Sequence, residues 1–307
     1  MLISRVRWAT NHDGVMAERP WRGTTAGATW MHRWLIGSTR VMPLQMLYAF
    51  AAIFVIPFCM VFSHKGYLAA YHFFRQHLGQ GVCRSFWNTY LNHCHFAQVI
   101  IDRFHIYGGG RFDFDIDNYE CFSRLAQAPS GFVILSAHVG NYEAAGYALA
   151  AKEKRFNALV YGQEAKTVMQ NREMLFSANN IRMIAVRPDM SHLFEMSNAL
   201  SNGEIMSIPA DRLFGSRRTV SCRFMGTEAS FPMGPFATAC QRDVPVLTIH
   251  VMKAGLRRYR VYVRSLDDME GTLRQRLQHL ATQYAATLEE VLQKHPTQWF
   301  NYYEFWN

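Results

Sequence analysis

The sequence predicts an α/β fold: a mostly parallel central sheet flanked by helices, with an N-terminal apolar helical segment that associates with membrane. Three observations predict it. From about residue 130 onward, short apolar runs alternate with helical patterns. A run of 17 residues, Met46 to Phe62, carries no charge. The chain of 307 residues is half hydrophobic, and its 18% charged content lies below the roughly 25% of an average soluble domain. A chain of this length buries a sizeable core, and so little charge leaves apolar surface for something other than water.

GFVILSA (131 to 137), FNALVY (156 to 161), IRMIAV (181 to 186) and EIMSIPA (204 to 210) have strand length and β-branched or aromatic content. Between them lie NYEAAGYALAAK, EAKTVMQNREMLFSAN and MSHLFEMSNALSN, each long enough for three or four helical turns. Strand and helix alternating in this way imply parallel strands covered by helices. PVLTIHVMK and YRVYVRSL add two later strands, read as a hairpin around Ala254 to Arg258, before a last helix from about Gly271 to Lys294. The chain divides into a basic arm at 1 to 43, a helical membrane-associating region at 44 to 106 and an α/β domain at 107 to 307.

The arm holds six arginines and two acids and lacks the charged-then-apolar order of a signal peptide at its start. The apolar run behind it is at the short end of what spans hydrocarbon, and Pro57 is expected to kink it. It reads as a short span, a helix lying in the interface, or a buried helix of a soluble domain. Overall, 32 Lys+Arg stand against 23 Asp+Glu, a balance that suits nucleic acid, anionic lipid or an acidic carrier. No nucleic-acid motif is present, and the arginines are interleaved with apolar segments, so no nucleic-acid partner is expected. The six cysteines are scattered without a C-x-x-C pair, as in a reducing compartment. His93, Cys94 and His95 invite a metal reading, but near-adjacent ligands diverge on a helix and no second pair at zinc spacing follows; no metal and no bound cofactor are expected.

The segment SAHVGNYEAAGYAL carries the most chemistry. His138 follows an apolar strand, at the carboxyl end where α/β sheets place ligands. Glu143 falls five residues on, in the first turn of the next helix, where it can fold back on the imidazole. A carboxylate accepting one ring N–H fixes the tautomer and stabilises the imidazolium that forms as the other nitrogen takes a proton. By spacing alone, a lone histidine at a strand end is as well read as a structural, hydrogen-bonded residue.

HVGNYE also resembles the H-x4-D/E signature of glycerolipid and lipid A acyltransferases, and SAHVGNYE after an apolar strand is similar to the late lipid A acyltransferases that add lauroyl or myristoyl chains. PADR at 209 to 212 stands where that family has Asp followed by Gln or Arg. FMGTEASFPMGPFATA at 224 to 239 resembles its G-x-x-A-x-F-P-x-G-P block, matching at Gly226, Ala229, Phe231, Pro232, Gly234 and Pro235. HPTQWFNYYEFW at 295 to 306 is similar to its closing H-P-x-Q-W segment. One departure is Asp243-Val244, where the family usually has glycine before the Pro-Val strand.

The resemblance implies a His138 general base with Glu143 as its partner, and an acyl thioester donor, acyl carrier protein or CoA. It also implies a lipid or glycolipid hydroxyl acceptor and a place at the cytoplasmic face of a bacterial inner membrane. Asp211 and Arg212 are expected to position a phosphate or sugar, or to form a surface pair. Arg217, Arg218 and Arg223 read as a site for an anionic headgroup or acidic carrier, or as a solvated face. The turn with Gly234 holds an oxyanion or phosphate on its backbone N–H groups, or is a rigid turn. No G-x-S-x-G elbow is present, so direct transfer is expected without an acyl-enzyme. A glycerolipid acyltransferase and a non-catalytic membrane-binding relative are the alternatives.

Overall fold

The computed structural model describes residues 29–62, 64–149, 154–160, 172–173, 176–177, 179–213, 218–267 and 269–306. The end of the basic arm is helical, α1 (Thr29–Val41). The apolar run forms one helix, α2 (Leu44–Phe62), and α3 (His64–His72) follows it. A long helix, α4 (Val82–Tyr107), completes the N-terminal region. Helix α2 does not break at Pro57. A proline donates no hydrogen bond and crowds the carbonyl four residues back; the helix takes this up in a π turn over Ala51–Val55, where the Ile56 N–H reaches the Ala51 carbonyl five residues back.

One side of α2 packs inward through Leu44, Leu47, Ala51 and Ile56, while Phe50, Phe54, Phe58 and Phe62 are exposed. This is the one helix among the described residues long and apolar enough to cross a membrane. Its outward apolar face suits it to contact with a membrane.

The α/β domain holds a seven-stranded sheet in the order β1-β9-β8-β2-β5-β3-β4. Its strands are β1 (Asp113–Asp117), β2 (Phe132–Ser136), β3 (Phe156–Val160), β4 (Ile181–Ala185), β5 (Ile205–Pro209), β8 (Val246–Lys253) and β9 (Arg258–Leu266). The neighbours β8, β2, β5, β3 and β4 are parallel. Strand β9 turns back antiparallel on β8, and β1 runs parallel to β9 at the edge. Every residue of β2 and β8 is buried, as strands covered on both faces require. One core layer puts Val133, Leu135 and Met206 against Tyr284, Leu288 and Phe231; the other puts Ile134, Ile249 and Val251 against Leu47, Ile101 and Phe122.

The covering helices are α5 (Tyr119–Gln127), the short α6 (Ala145–Ala148), α7 (Ser191–Ser201), α8 (Met233–Arg242) and α9 (Leu273–Lys294). Helix α9 starts on a capping box: the Gln275 N–H donates to the Thr272 hydroxyl, and the Gln275 side chain accepts from the Thr272 N–H.

Three elements differ from the sequence reading. Strand β1, DFDID, has only Phe114 and Ile116 as apolar residues, and its acids pair with the next strand, Asp115 with Arg260 at 3.3 Å and Asp117 with Arg264 at 3.0 Å. Strands β6 (Thr219–Phe224) and β7 (Thr227–Pro232) form a separate hairpin. Its tight turn sets both Met225 and Gly226 at positive φ, 50° and 85°, and methionine gives no turn signal there. The helix expected over NYEAAGYALAAK is a 3₁₀ turn, Tyr142–Ala144, followed by the single turn α6. The segment EAKTVMQNREMLFSAN falls largely outside the described residues.

Candidate active site

Strands β2 and β5 are parallel neighbours in register, with Ser136 opposite Pro209. Two residues further along each chain stand His138 and Asp211. The Ala210 N–H donates to the Ser136 carbonyl at 2.9 Å, carrying the ladder one step past the strands. Asp211 then receives two bonds from one residue. The His138 backbone N–H donates to Oδ2 at 2.8 Å, and His138 Nδ1 meets Oδ1 at 2.7 Å. Asp211 is 1% exposed in its side chain and His138 15%, so the carboxylate is sealed behind a ring whose outer edge reaches solvent.

The partner expected for this imidazole was Glu143, and the structure places Asp211 there instead. Glu143 faces α4. Tyr107 donates to its Oε1 at 2.5 Å and Tyr147 at 3.1 Å. Arg172 donates to Oε2 through Nε at 3.1 Å and Nη2 at 3.0 Å, with Arg103 Nη1 at 3.7 Å. The reason lies in the intervening loop. The Asn141 N–H donates to the Val251 carbonyl and the Gly140 N–H to the Gln298 carbonyl, each at 2.8 Å. Val139 forms an antiparallel bridge with Trp299, and the Phe300 N–H donates to the His138 carbonyl at 3.0 Å. Pinned on both sides, the loop sends Glu143 away from the ring.

Gly140 sits at φ +48°, and a Cβ there would stand 2.1 Å from the Val251 carbonyl oxygen. Gly140→Ala is therefore expected to displace the His138 loop. A misplacement of an ångström costs on the order of 10²-fold in rate, to be read as kcat of the folded variant against wild type.

Charge follows this geometry. Burial, and then the charge of Arg212, lower the His138 pKa below its ordinary value against the opposing pull of Asp211. The ring is thus neutral at pH 7. Burial pushes Asp211 up, but His138 and Arg212 outweigh it and hold the carboxyl at about 2. Glu143 is likewise held at about 2, because Arg172, Arg103 and Tyr107 outweigh its burial. Arg103 links the two clusters: its guanidinium lies 4.7 Å from the centre of the Tyr142 ring, which sits 5.1 Å from the His138 ring.

The other expected site residues are spread around this centre. Arg212 donates from Nη2 to the Phe300 carbonyl at 2.9 Å, fastening the closing segment beside Asp211. Arg217 lies outside the described residues, and Arg218 is exposed, its carbonyl accepting from Met233 at 3.0 Å. Gly234 is exposed in the first turn of α8, while Phe231 and Pro235 are buried. Helix α8 leads into β8, so its N-terminal turn points toward the sheet edge where β2 and β5 end. Asp243 takes φ 53°, the left-handed conformation in which glycine is the usual residue and aspartate is tolerated. The closing aromatics are packing groups: Trp299 and Phe305 are buried, and Trp306 stacks on His77 at 3.5 Å. His93 Nδ1 meets the Thr89 carbonyl at 2.8 Å, and no group suited to a metal occurs among the described residues.

Arg103, Arg172, Tyr107 and Tyr147 were not anticipated. Arg103 and Tyr107 lie one helical turn apart on α4, a signal of a shared face but not of its partner.

The pattern describing bacterial lipid A biosynthesis acyltransferases matches residues 110–306. Among curated proteins none matches. One similar solved structure is the 1-acyl-sn-glycerophosphate (LPA) acyltransferase PlsC from Thermotoga maritima, 13% identical over 85% of this chain and 98% of that chain, with a TM-score of 0.33.

Proposed function

This chain belongs to the bacterial lipid A biosynthesis acyltransferase family, and from that premise we propose that it transfers a fatty acyl chain from an acyl thioester to a hydroxyl of a lipid or glycolipid acceptor, with His138 as general base and Asp211 as its carboxylate partner. The observation that carries the reading is the 2.7 Å contact between His138 Nδ1 and a buried carboxylate, which leaves Nε2 as the ring nitrogen that can accept a proton. Nε2 takes the hydroxyl proton as the oxygen attacks the thioester carbonyl. The tetrahedral oxyanion collapses, the C–S bond breaks, and the imidazolium returns the proton to the leaving thiolate. Acceptor, proton and thiol balance without an acyl-enzyme or a bound cofactor.

Glu143 serves this chemistry indirectly, as the group that holds Arg103 and Arg172. The charges of Arg103 and Arg212 both bear on the His138 ring, and the same field favours an oxyanion formed beside it. The donor is an acyl carrier protein or CoA thioester. The closing HPTQWF segment favours a glycolipid acceptor of the lipid A type over a glycerolipid, and the cytoplasmic face of the inner membrane is where both substrates meet.

The test is acyl transfer by purified protein, with lipid products read by mass spectrometry. His138→Ala is expected to remove nearly all turnover while circular dichroism shows a folded chain. Substantial turnover in folded His138→Ala would place the base elsewhere.

A further inference from the structure

Four arginines from three separate segments meet at the N-terminal end of α2. Arg40, on α1, lies against Gly108, its Cγ 3.6 Å from where a Cβ would stand. Arg111 follows three residues later. Beyond it the Asp113 N–H donates to the Arg257 carbonyl at 2.9 Å, and Arg258 is the register partner of Asp113. The tip carrying Arg257 and Arg258 is tied to α2 through one side chain: Lys253 Nζ donates to the Leu256 carbonyl at 3.3 Å, to the Tyr48 hydroxyl at 3.1 Å and to Asp102 at 2.5 Å. Arg40, Arg111, Arg257 and Arg258 are all exposed, and none forms an ion pair among the described residues. Asp113 is the acid set among them.

We propose that Arg40, Arg111, Arg257 and Arg258 form a cationic collar that docks on the anionic headgroups of a lipid bilayer at the point where α2 engages it. This rests on α2 being the membrane-associating element. The collar is continuous with the exposed apolar face of α2, which begins at Met46 and Phe50, and it carries its own exposed apolar residue, Leu256, at the hairpin tip. An arginine cluster bordering apolar side chains matches the headgroup boundary, where the charge meets phosphate and the stems meet acyl chain. A nucleic acid or an acidic protein would leave that apolar continuation in water. The collar also faces the right way. The tip follows the carboxyl end of β8, which is parallel to β2, so the collar shares the sheet edge of His138 and its docking brings that edge to the lipid.

The experiment uses the full chain with phosphatidylcholine vesicles, with and without added phosphatidylglycerol, and measures the bound fraction after flotation. Wild type is expected to prefer the anionic vesicles. A juxtamembrane arginine is worth about fivefold in partition, so Arg257→Gln with Arg258→Gln should lose roughly 25-fold on anionic vesicles at low salt, with binding to neutral vesicles unchanged. Lysine at both positions should keep the preference. Full retention of the anionic preference in the double glutamine variant, or equal loss on both vesicle types, would overturn the collar. Phe54→Asp with Phe58→Asp tests the helix separately: wild-type binding to both vesicle types by that variant would overturn the membrane role of α2 instead.

Discussion

Asp211→Asn is expected to lower kcat by roughly 10²- to 10⁴-fold in a folded protein, the range of a positioned acid–base group. The asparagine oxygen can still accept from the His138 backbone N–H. Its amide then faces Nδ1 as a donor, so the ring must carry its proton on Nε2, the nitrogen meant to accept one. The same logic makes an Asp-to-Asn change in a serine-protease triad so costly. A second signature separates this from simple loss of structure. Asp211 raises the His138 pKa, so without it the imidazolium is less favoured, and the acid limb of kcat/KM should move to lower pH. Glu143→Gln should leave that limb in place. Profiles measured on both variants decide the matter, and a limb moved by Glu143→Gln but not by Asp211→Asn would refute the pairing.

Glu143→Ala is expected to act mainly on stability, costing about 3–5 kcal/mol, as when one partner of a buried ion pair is removed. Glu143 is 3% exposed and Arg172 6%, so removing the carboxylate takes away one partner of a buried ion pair, and Arg103 loses the same partner. Its pH dependence has a definite sign. The folded-state pKa of about 2 lies below the ordinary value of 4.5, so Glu143 contributes fully above the ordinary value. Its contribution is lost as pH falls toward 2. The gap in denaturation midpoint between wild type and Glu143→Ala should be wide at neutral pH and narrow toward the acid end of that interval. An equal gap across it would mean that the ionised carboxylate is not what holds α4 to the loop.

The contrast between these variants shows what can be read from a chain. The parallel strands were legible because each is a compact β-branched run between turn residues. β1 was not, because two apolar residues among three aspartates carry little signal, and the β6–β7 turn was not, because methionine rarely occupies a left-handed position. His138 was found by its place at a strand end, and Asp211 was noted for the same reason. Their contact was missed, because it depends on β2 and β5 being sheet neighbours, an order written in neither strand. Nearness in sequence and the H-x4-D/E resemblance both point Glu143 at the imidazole, but three backbone bonds to Val251, Gln298 and Phe300 turn the loop the other way.

The origin of the His138–Asp211 pair in two adjoining strands has a bearing on how such a protein can diversify. The two residues are 73 positions apart, yet their separation is set by a ladder spacing of about 4.8 Å, so the intervening excursion through β3, β4 and α7 carries no responsibility for aligning them. Insertions, deletions or replacements in that excursion can change its surface while the His138–Asp211 pair keeps its geometry. Grafting that excursion from one relative into another is therefore expected to keep the His138–Asp211 contact, to be read as an unmoved acid limb of kcat/KM.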